Sequence, residues 1–126
     1  MRFKRNPQFR KGDKAVSLVY HPPEIKSGTE VTIISPHFGT IYAVELPDGK
    51  LHRWIADFEL RSLNTKHHRL KAGDSAIVLN DTGHHGINKG MVVKIVKPII
   101  DYFYDVRLPD ESYHRWLAEF ELAYPV

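Results

Sequence analysis

The sequence predicts an all-β protein built from two small, strongly bent barrels. Three observations carry that prediction. The first is an internal repeat: Pro47-Asp48-Gly49-Lys50-Leu51-His52-Arg53-Trp54-Ile55-Ala56-Asp57-Phe58-Glu59-Leu60 returns 62 residues later as Pro109-Asp110-Glu111-Ser112-Tyr113-His114-Arg115-Trp116-Leu117-Ala118-Glu119-Phe120-Glu121-Leu122. A fixed period identifies the structural unit before any propensity argument. The second is that each copy reads as about five short strands in about 55 residues, the pattern of a small barrel. The third is that no segment shows a sustained helical stripe bounded by caps.

The elements follow in chain order. Lys11-Gly12-Asp13 opens the first copy, and Gly73-Asp74 opens the second. Gly28, Val31, Ile33 and Pro36 match Gly90, Val93, Ile95 and Pro98. Val31-Thr32-Ile33-Ile34 and Val92-Val93-Lys94-Ile95-Val96 are β-branched runs, each ending at a proline. Tyr42, Val44 and Leu46 alternate with Ala43 and Glu45, the period of a half-buried strand, and Tyr104, Val106 and Leu108 repeat it. Pro47-Asp48-Gly49 is a hairpin signal, because Asp-Gly accepts the positive φ of a tight turn. Glu111 stands at the place of Gly49, so the second turn differs in detail. Ala56 to Leu60 forms a single 3₁₀ turn before a last strand. Val19–Ser27 and Asn80–Lys89 match worst and read as surface connections. The expected organisation is a basic arm over 1–9, a barrel over 10–61, a basic linker over 62–70 and a second barrel over 71–126.

Lys11-Gly12-Asp13-x-x-Val16, Gly28-x-x-Val31-x-Ile33, Tyr42-x-Val44-x-Leu46, Trp54-Ile55 and Glu59-Leu60 resemble an SH3-like barrel of the KOW or Tudor type. Lys89-Gly90-x-x-Val93-x-Ile95 resembles it again in the second copy. The resemblance spans nearly the whole chain. It implies two tandem SH3-like barrels and, more weakly, nucleic-acid binding.

Charge supports that expectation. The formal net charge is +3, unevenly distributed. Residues 1–14 hold Arg2, Lys4, Arg5, Arg10, Lys11 and Lys14 against Asp13 alone, and residues 61–71 hold Arg61, Lys66, Arg69 and Lys71 with no acid. The remainder is acidic on balance. A basic arm and linker are an electrostatic footprint for phosphate backbones, although solvated linkers share that composition. There is no cysteine, hence no disulfide framework and no thiolate metal site. This is compatible with a reducing, cytoplasmic home. No secretory signal and no membrane-spanning apolar stretch is read.

The His-Arg-Trp triplet, kept in both copies, is the sharpest local signal. Strand alternation puts Trp54 opposite Ile55 and Trp116 opposite Leu117. If Ile55 and Leu117 face the cores, each Trp faces either outward, to stack on a base beside Arg53 or Arg115, or into the seam between the modules. A bulge would invert these faces. Tyr102-Phe103-Tyr104 makes the second barrel the more aromatic, with Tyr102 a candidate stacking residue. Phe58, Glu59, Leu60 and Phe120, Glu121, Leu122 read as structural, Tyr42 and Tyr104 as core, with Ile41 and Phe103 on the other face. Eight histidines raise the question of a metal, but His67-His68 and His84-His85 are adjacent pairs that diverge on an extended chain, so no metal site is assigned. His21 and His37 read as surface loop residues, and His84-His85-Gly86 as a contact loop. No nucleophile elbow, phosphate-cradling loop or paired general acid and base is present.

The leading expectation is a non-enzymatic protein that binds DNA or RNA mainly through phosphates, without catalytic residues or a cofactor. Its contacts would be Arg2, Lys4, Arg5, Arg10, Lys11, Lys66, Arg69 and Lys71, with Arg53, Trp54, Tyr102, Arg115 and Trp116 secondary. A protein-interaction adaptor, encoded by a phage or mobile element and acting on a host protein, is the second reading. A small enzyme is the third. No membrane partner and no small-molecule substrate is expected.

Overall fold

Eight strands and two single-turn 3₁₀ segments follow the order set by the repeat: β1 (Lys14–Ser17), β2 (Glu30–Glu45), β3 (Leu51–Ala56), Asp57–Glu59 as 3₁₀, β4 (Leu60–Ser62), β5 (Ser75–Val78), β6 (Val92–Arg107), β7 (Tyr113–Ala118), Glu119–Glu121 as 3₁₀ and β8 (Leu122–Ala123). The computed structural model describes residues 6–21, 25–63 and 70–125. No α-helix occurs among them. The expected arm cations Arg2, Lys4 and Arg5 and linker cations Lys66 and Arg69 lie outside the described residues.

The runs expected to stop at Pro36 and Pro98 do not stop. Each continues as one 16-residue strand. At 3.3 Å per residue such a strand is about 50 Å long, too long for one small barrel. The prolines are tolerated because of where they sit. β1 pairs with β2 only at Glu30–Thr32, and β3 only at Ile41–Glu45. Between these stretches β2 is bonded on one side, to β6, so Pro36 needs no ladder donor on its other side. Pro98 occupies the same gap in β6, between the β5 and β7 pairings.

β2 and β6 pair antiparallel along their whole lengths, from Thr32↔Arg107 to Glu45↔Lys94. Gly39 faces Asp101, its own counterpart in the other copy. Phe38↔Tyr102 and Thr40↔Ile100 flank that pair. The two copies are therefore related by a local twofold through the middle of the ribbon, an isologous contact within one chain.

The cores follow from this pairing. The first contains Phe9, Ala15, Ile25, Val31 and Ile33 from one copy and Tyr102, Tyr104, Val106, Leu108, Leu117 and Leu122 from the other. The second contains Tyr42, Val44, Ile55 and Leu60 with Leu70, Ala76, Val78, Ile87, Val93 and Ile95. Neither core is confined to segment 10–61 or 71–126: each joins the start of one copy to the end of the other. Phe9, at the end of the expected arm, and Leu70, at the end of the expected linker, are core residues. β8 pairs with β1 and β4 with β5, so the copies exchange their last strands as well.

The expected pair of closed barrels is corrected accordingly. The strands form one eight-stranded antiparallel sheet in the order β4-β5-β6-β2-β1-β8, with β3 on β2 and β7 on β6. Closure requires the outer strands to pair, and among the described residues β3 does not meet β4, nor β7 meet β8, in a ladder. Tyr42, Tyr104, Ile41 and Phe103 lie where alternation placed them.

The two hairpin turns take the same path despite their sequences. Gly49 has φ 88° and Glu111 φ 73°. An L-residue pays roughly 1–2 kcal/mol for that conformation and glycine does not. Glu111→Gly should therefore stabilise the protein by about 0.5–1 kcal/mol and Gly49→Glu should destabilise it by a similar amount, read by urea unfolding. Opposite signs at the two positions are the expected outcome; equal signs would show that the turns are not equivalent.

Candidate functional site

Trp54 and Trp116 organise the middle of the molecule. β3 carries one extra residue opposite Tyr42/Ala43, and that residue is Trp54; Trp116 is its counterpart opposite Tyr104/Asp105. Such bulges re-aim a side chain. Both rings are buried, at 4% and 0% exposure, in a third cluster with Ile41, Ala43, Ala56, Phe103 and Ala118 that fills the seam between the cores. Of the two directions left open by alternation, the structure takes the inward one. The expectation that these rings stack on bases is corrected: no ring face is available. The same holds for Tyr102, which is buried against Phe38 with ring centroids 4.9 Å apart. Phe58 and Phe120 are exposed yet close the seam edge-on, against Trp116 and Trp54 respectively.

Each indole donates across the copies to a buried carboxylate. Trp116 Nε1–H donates to Glu59 Oε1 at 2.7 Å, and Trp54 Nε1–H to Glu121 Oε1 at 2.9 Å. The same carboxylates close their own 3₁₀ turns, accepting from the amides of Ala56 and Ala118. A histidine completes each set: His84 Nε2 lies 3.1 Å from both Glu59 oxygens, and His21 Nε2 lies 3.0 Å from Glu121 Oε2. Arg115 adds a charged donor to Glu59 at 3.0 Å. Burial alone would raise both carboxyls, but the histidine and tryptophan donors and a backbone amide hold Glu59 and Glu121 below the ordinary carboxylate range.

Two further imidazoles back these pairs. His52 Nε2 stands 3.3 Å from His84 Nδ1, and the His114 ring meets the His21 ring edge-on with centroids 5.8 Å apart. Burial, and then the neighbouring imidazoles, push His52 down to about 4 and His114 down to about 3. Both are therefore neutral near pH 7. Among the described residues no three His, Asp or Glu side chains are placed to hold a metal ion.

A separate buried acid, Asp105, accepts from Ser35 at 2.7 Å and from the Tyr113 hydroxyl at 2.7 Å, with His37 Nε2 at 3.4 Å. Burial opposes its ionisation, and the donors from His37, Tyr113 and Ser35 overcome this and hold it at about 2.

The expected phosphate contacts that are described do not form one patch. Arg10 and Lys11 sit in the turn docked on Ile33 of β2, and Lys71 sits in the equivalent turn docked on Ile95 of β6. Ile33 and Ile95 lie at opposite ends of the ribbon, eleven residues apart in register and so about 36 Å apart. Arg53 is exposed. Arg115 is tied to Glu59 and to the Tyr113 hydroxyl and lies over the Trp116 ring at 4.7 Å.

His21 and His37 are corrected from loop residues to structural ones: His21 is 4% exposed, and His37 lies in β2 stacked on Phe103. Sequence comparison missed the equivalence of His21 and His84 because it falls in the worst-matching stretch. The signal was there in the flanks, since Ile25 and Ile87 are buried counterparts just before Gly28 and Gly90.

Glu59→Ala and Glu121→Ala should each cost about 3–5 kcal/mol, because each strands several buried donors. In a double-mutant cycle, Glu59 and Trp116 should couple by about 1–3 kcal/mol and Glu59 and Trp54 should not. Acid should destabilise the fold. In the unfolded chain His52 and His114 protonate near pH 6.5, but in the fold only near pH 4 and pH 3. Between those values the unfolded state binds more protons, so stability falls as pH drops from about 6.5, and the depressed Glu59 and Glu121 extend the loss below pH 4.5. Urea midpoints at pH 7, 6 and 5 check this. A flat profile would contradict the buried-neutral assignment.

No protein-family model matches the chain, and no curated protein matches it. Solved structures do. The crystal structure of a DUF1541 family protein, YdhK, from Bacillus subtilis superposes with a TM-score of 0.72 at 22% identity, covering 97% of this chain and 88% of that one. A second crystal structure of YdhK gives 0.69 at 23% identity, covering 90% and 98%. The solution structure of the YdhK C-terminal domain gives 0.67 at 21% identity, covering 92% and 93%. These likenesses correct the expected KOW or Tudor relationship: the fold is similar to that of YdhK.

Proposed function

We propose that the protein is a non-enzymatic binder of nucleic acid that works through phosphate contacts. One observation carries this reading: the fold turns acids inward. Asp105, Glu59, Glu119 and Glu121 are all buried. Each accepts hydrogen bonds from histidine, tryptophan, tyrosine or backbone donors. That leaves eleven acids elsewhere in the chain against seventeen lysines and arginines, once Arg115, tied to Glu59, is set aside. The charges outside these buried groups are thus more basic on balance than the formal net charge of +3 implies. The spacing of the basic turns adds support. The turns carrying Arg10, Lys11 and Lys71 are equivalents under the local twofold, up to about 36 Å apart along the ribbon, the scale of one turn of B-form duplex.

A second reading, a protein-interaction adaptor, is supported by the exposed rings Phe38 and Phe58 beside a cleft of about 290 Å³ that also reaches His37 and Phe103. A stoichiometric protein partner that survives nuclease treatment and is lost with Phe58→Ser would favour it.

Fluorescence anisotropy with labelled duplex DNA, single-stranded DNA and RNA tests the leading reading. With four phosphate contacts, affinity should fall about fiftyfold for single strands and about 150-fold for duplex DNA between about 50 and about 200 mM salt. Replacing Arg10, Lys11, Lys14 and Lys71 by alanine should remove most of the binding and flatten the salt dependence. Absence of binding to all three at low salt would overturn it.

A further inference from the structure

The two halves of the molecule, alike in backbone, differ at one place. Beside the β2–β3 hairpin lies a groove of about 630 Å³, within the roughly 300–1,000 Å³ of small-molecule sites. Leu46, Lys50, Leu51 and Arg53 form one wall. Tyr20 and His85 come from the two equivalent loops, and His21 and His52 complete the lining. Tyr20 and Leu51 are 61% and 65% exposed, so the apolar wall is open to solvent. Lys50, Arg53 and three histidines line the groove, with Lys50 also 4.0 Å from the exposed Asp48 carboxylate in a weak surface pair.

The corresponding β6–β7 hairpin carries other residues with other partners. Tyr113 stands where Leu51 stands, and Ser112 where Lys50 stands. The Tyr113 hydroxyl donates to Asp105. The Arg115 amide donates to the Gly83 carbonyl at 3.0 Å. A Cβ built on Gly83 would lie 3.0 Å from both Tyr113 and Arg115, so this loop is packed directly on that hairpin. Arg115 is neutralised by Glu59 at 3.0 Å, whereas Arg53 meets no carboxylate among the described residues and only borders the Trp54 ring at 5.7 Å. The other copy carries Ser112 at this place in an equivalent hairpin, so Lys50 is not a requirement of folding.

We infer that this groove binds a small organic anion, an apolar body of one or two rings that carries a phosphate or a carboxylate. The body lies on Tyr20, Leu46 and Leu51. The anionic group meets Arg53, whose planar fork matches either oxyanion, and Lys50. The half-buried His52 also lines the groove, with its Nε2 turned to His84 Nδ1. The site does not use the basic turns at Arg10 and Lys71, although Arg53 is also one of the secondary contacts of the nucleic-acid reading.

Amide chemical shifts of the full chain, titrated with phenyl phosphate, benzoate, inorganic phosphate and benzyl alcohol, test the inference. Phenyl phosphate or benzoate should shift the amides of Tyr20, Lys50, Leu51, Arg53 and His85, and the stronger of the two names the oxyanion. Inorganic phosphate and benzyl alcohol should bind at least about tenfold more weakly, since each offers only half of the recognition. Lys50→Ser with Arg53→Gln should abolish the shifts; the first substitution installs the residue the other copy already carries, so the fold is retained. Arg10→Ala with Lys11→Ala should leave them unchanged while weakening any oligonucleotide binding. Benzyl alcohol binding as well as the anions, or no groove shift with either aryl anion up to about 10 mM, would overturn the site and leave the nucleic-acid reading standing.

Discussion

The structure depends on the pairing of β2 with β6. Each strand is long enough to serve two cores, and their antiparallel register places Gly39 against Asp101 at the centre of the chain's own symmetry. Everything else follows from that register. With the ribbon fixed, Val31 and Ile33 must pack with Tyr104 and Val106, and Tyr42 and Val44 with Val93 and Ile95. A small module has too little interior to be comfortable alone. Here each half draws its apolar residues from both copies, so neither copy could complete a core without the other.

The ribbon also explains why charged groups are buried. The seam between the cores is filled by the two indoles, and each indole N–H requires an acceptor where water is absent. Glu59 and Glu121 supply it from the opposite copy, and their remaining lone pairs are taken by Ala56 and Ala118 amides and by His84 and His21. Buried ion pairs of this kind contribute little net stability, but removing one member is costly. Their effect is one of specification, because a cross-copy acceptor is satisfied only when the copies are exchanged. The electrostatic consequence reaches the surface, where the cations remain and these acids do not.

The near-symmetry makes the differences between copies informative. Gly49 and Glu111 hold one turn geometry with different residues, which is drift within a fixed backbone. Lys50 and Ser112, Leu51 and Tyr113, and the partners of Arg53 and Arg115 differ together, and they give the two hairpins different surroundings. Asp105 is the counterpart of Ala43 and brings Ser35, His37 and Tyr113 into a polar set on one side only. Packing positions are shared; the positions that diverge in concert lie around the hairpins.

The sequence by itself determined the repeat, the all-β character, the strand periodicity and the 3₁₀ turn after Ala56. These are local properties, set by alternation, turn chemistry and propensity. What it left undetermined was which copy completes which core. The two copies present the same apolar pattern, so pairing within a copy and pairing between copies look equally good to any local rule. Only the tertiary structure decides between them, because Ile34 to Thr40 contains no tight turn and the chain runs straight on through Pro36. The same ambiguity hid His21 and His84. Their partners, Glu121 and Glu59, lie in the other copy, and no spacing along the chain announces a contact made across a twofold.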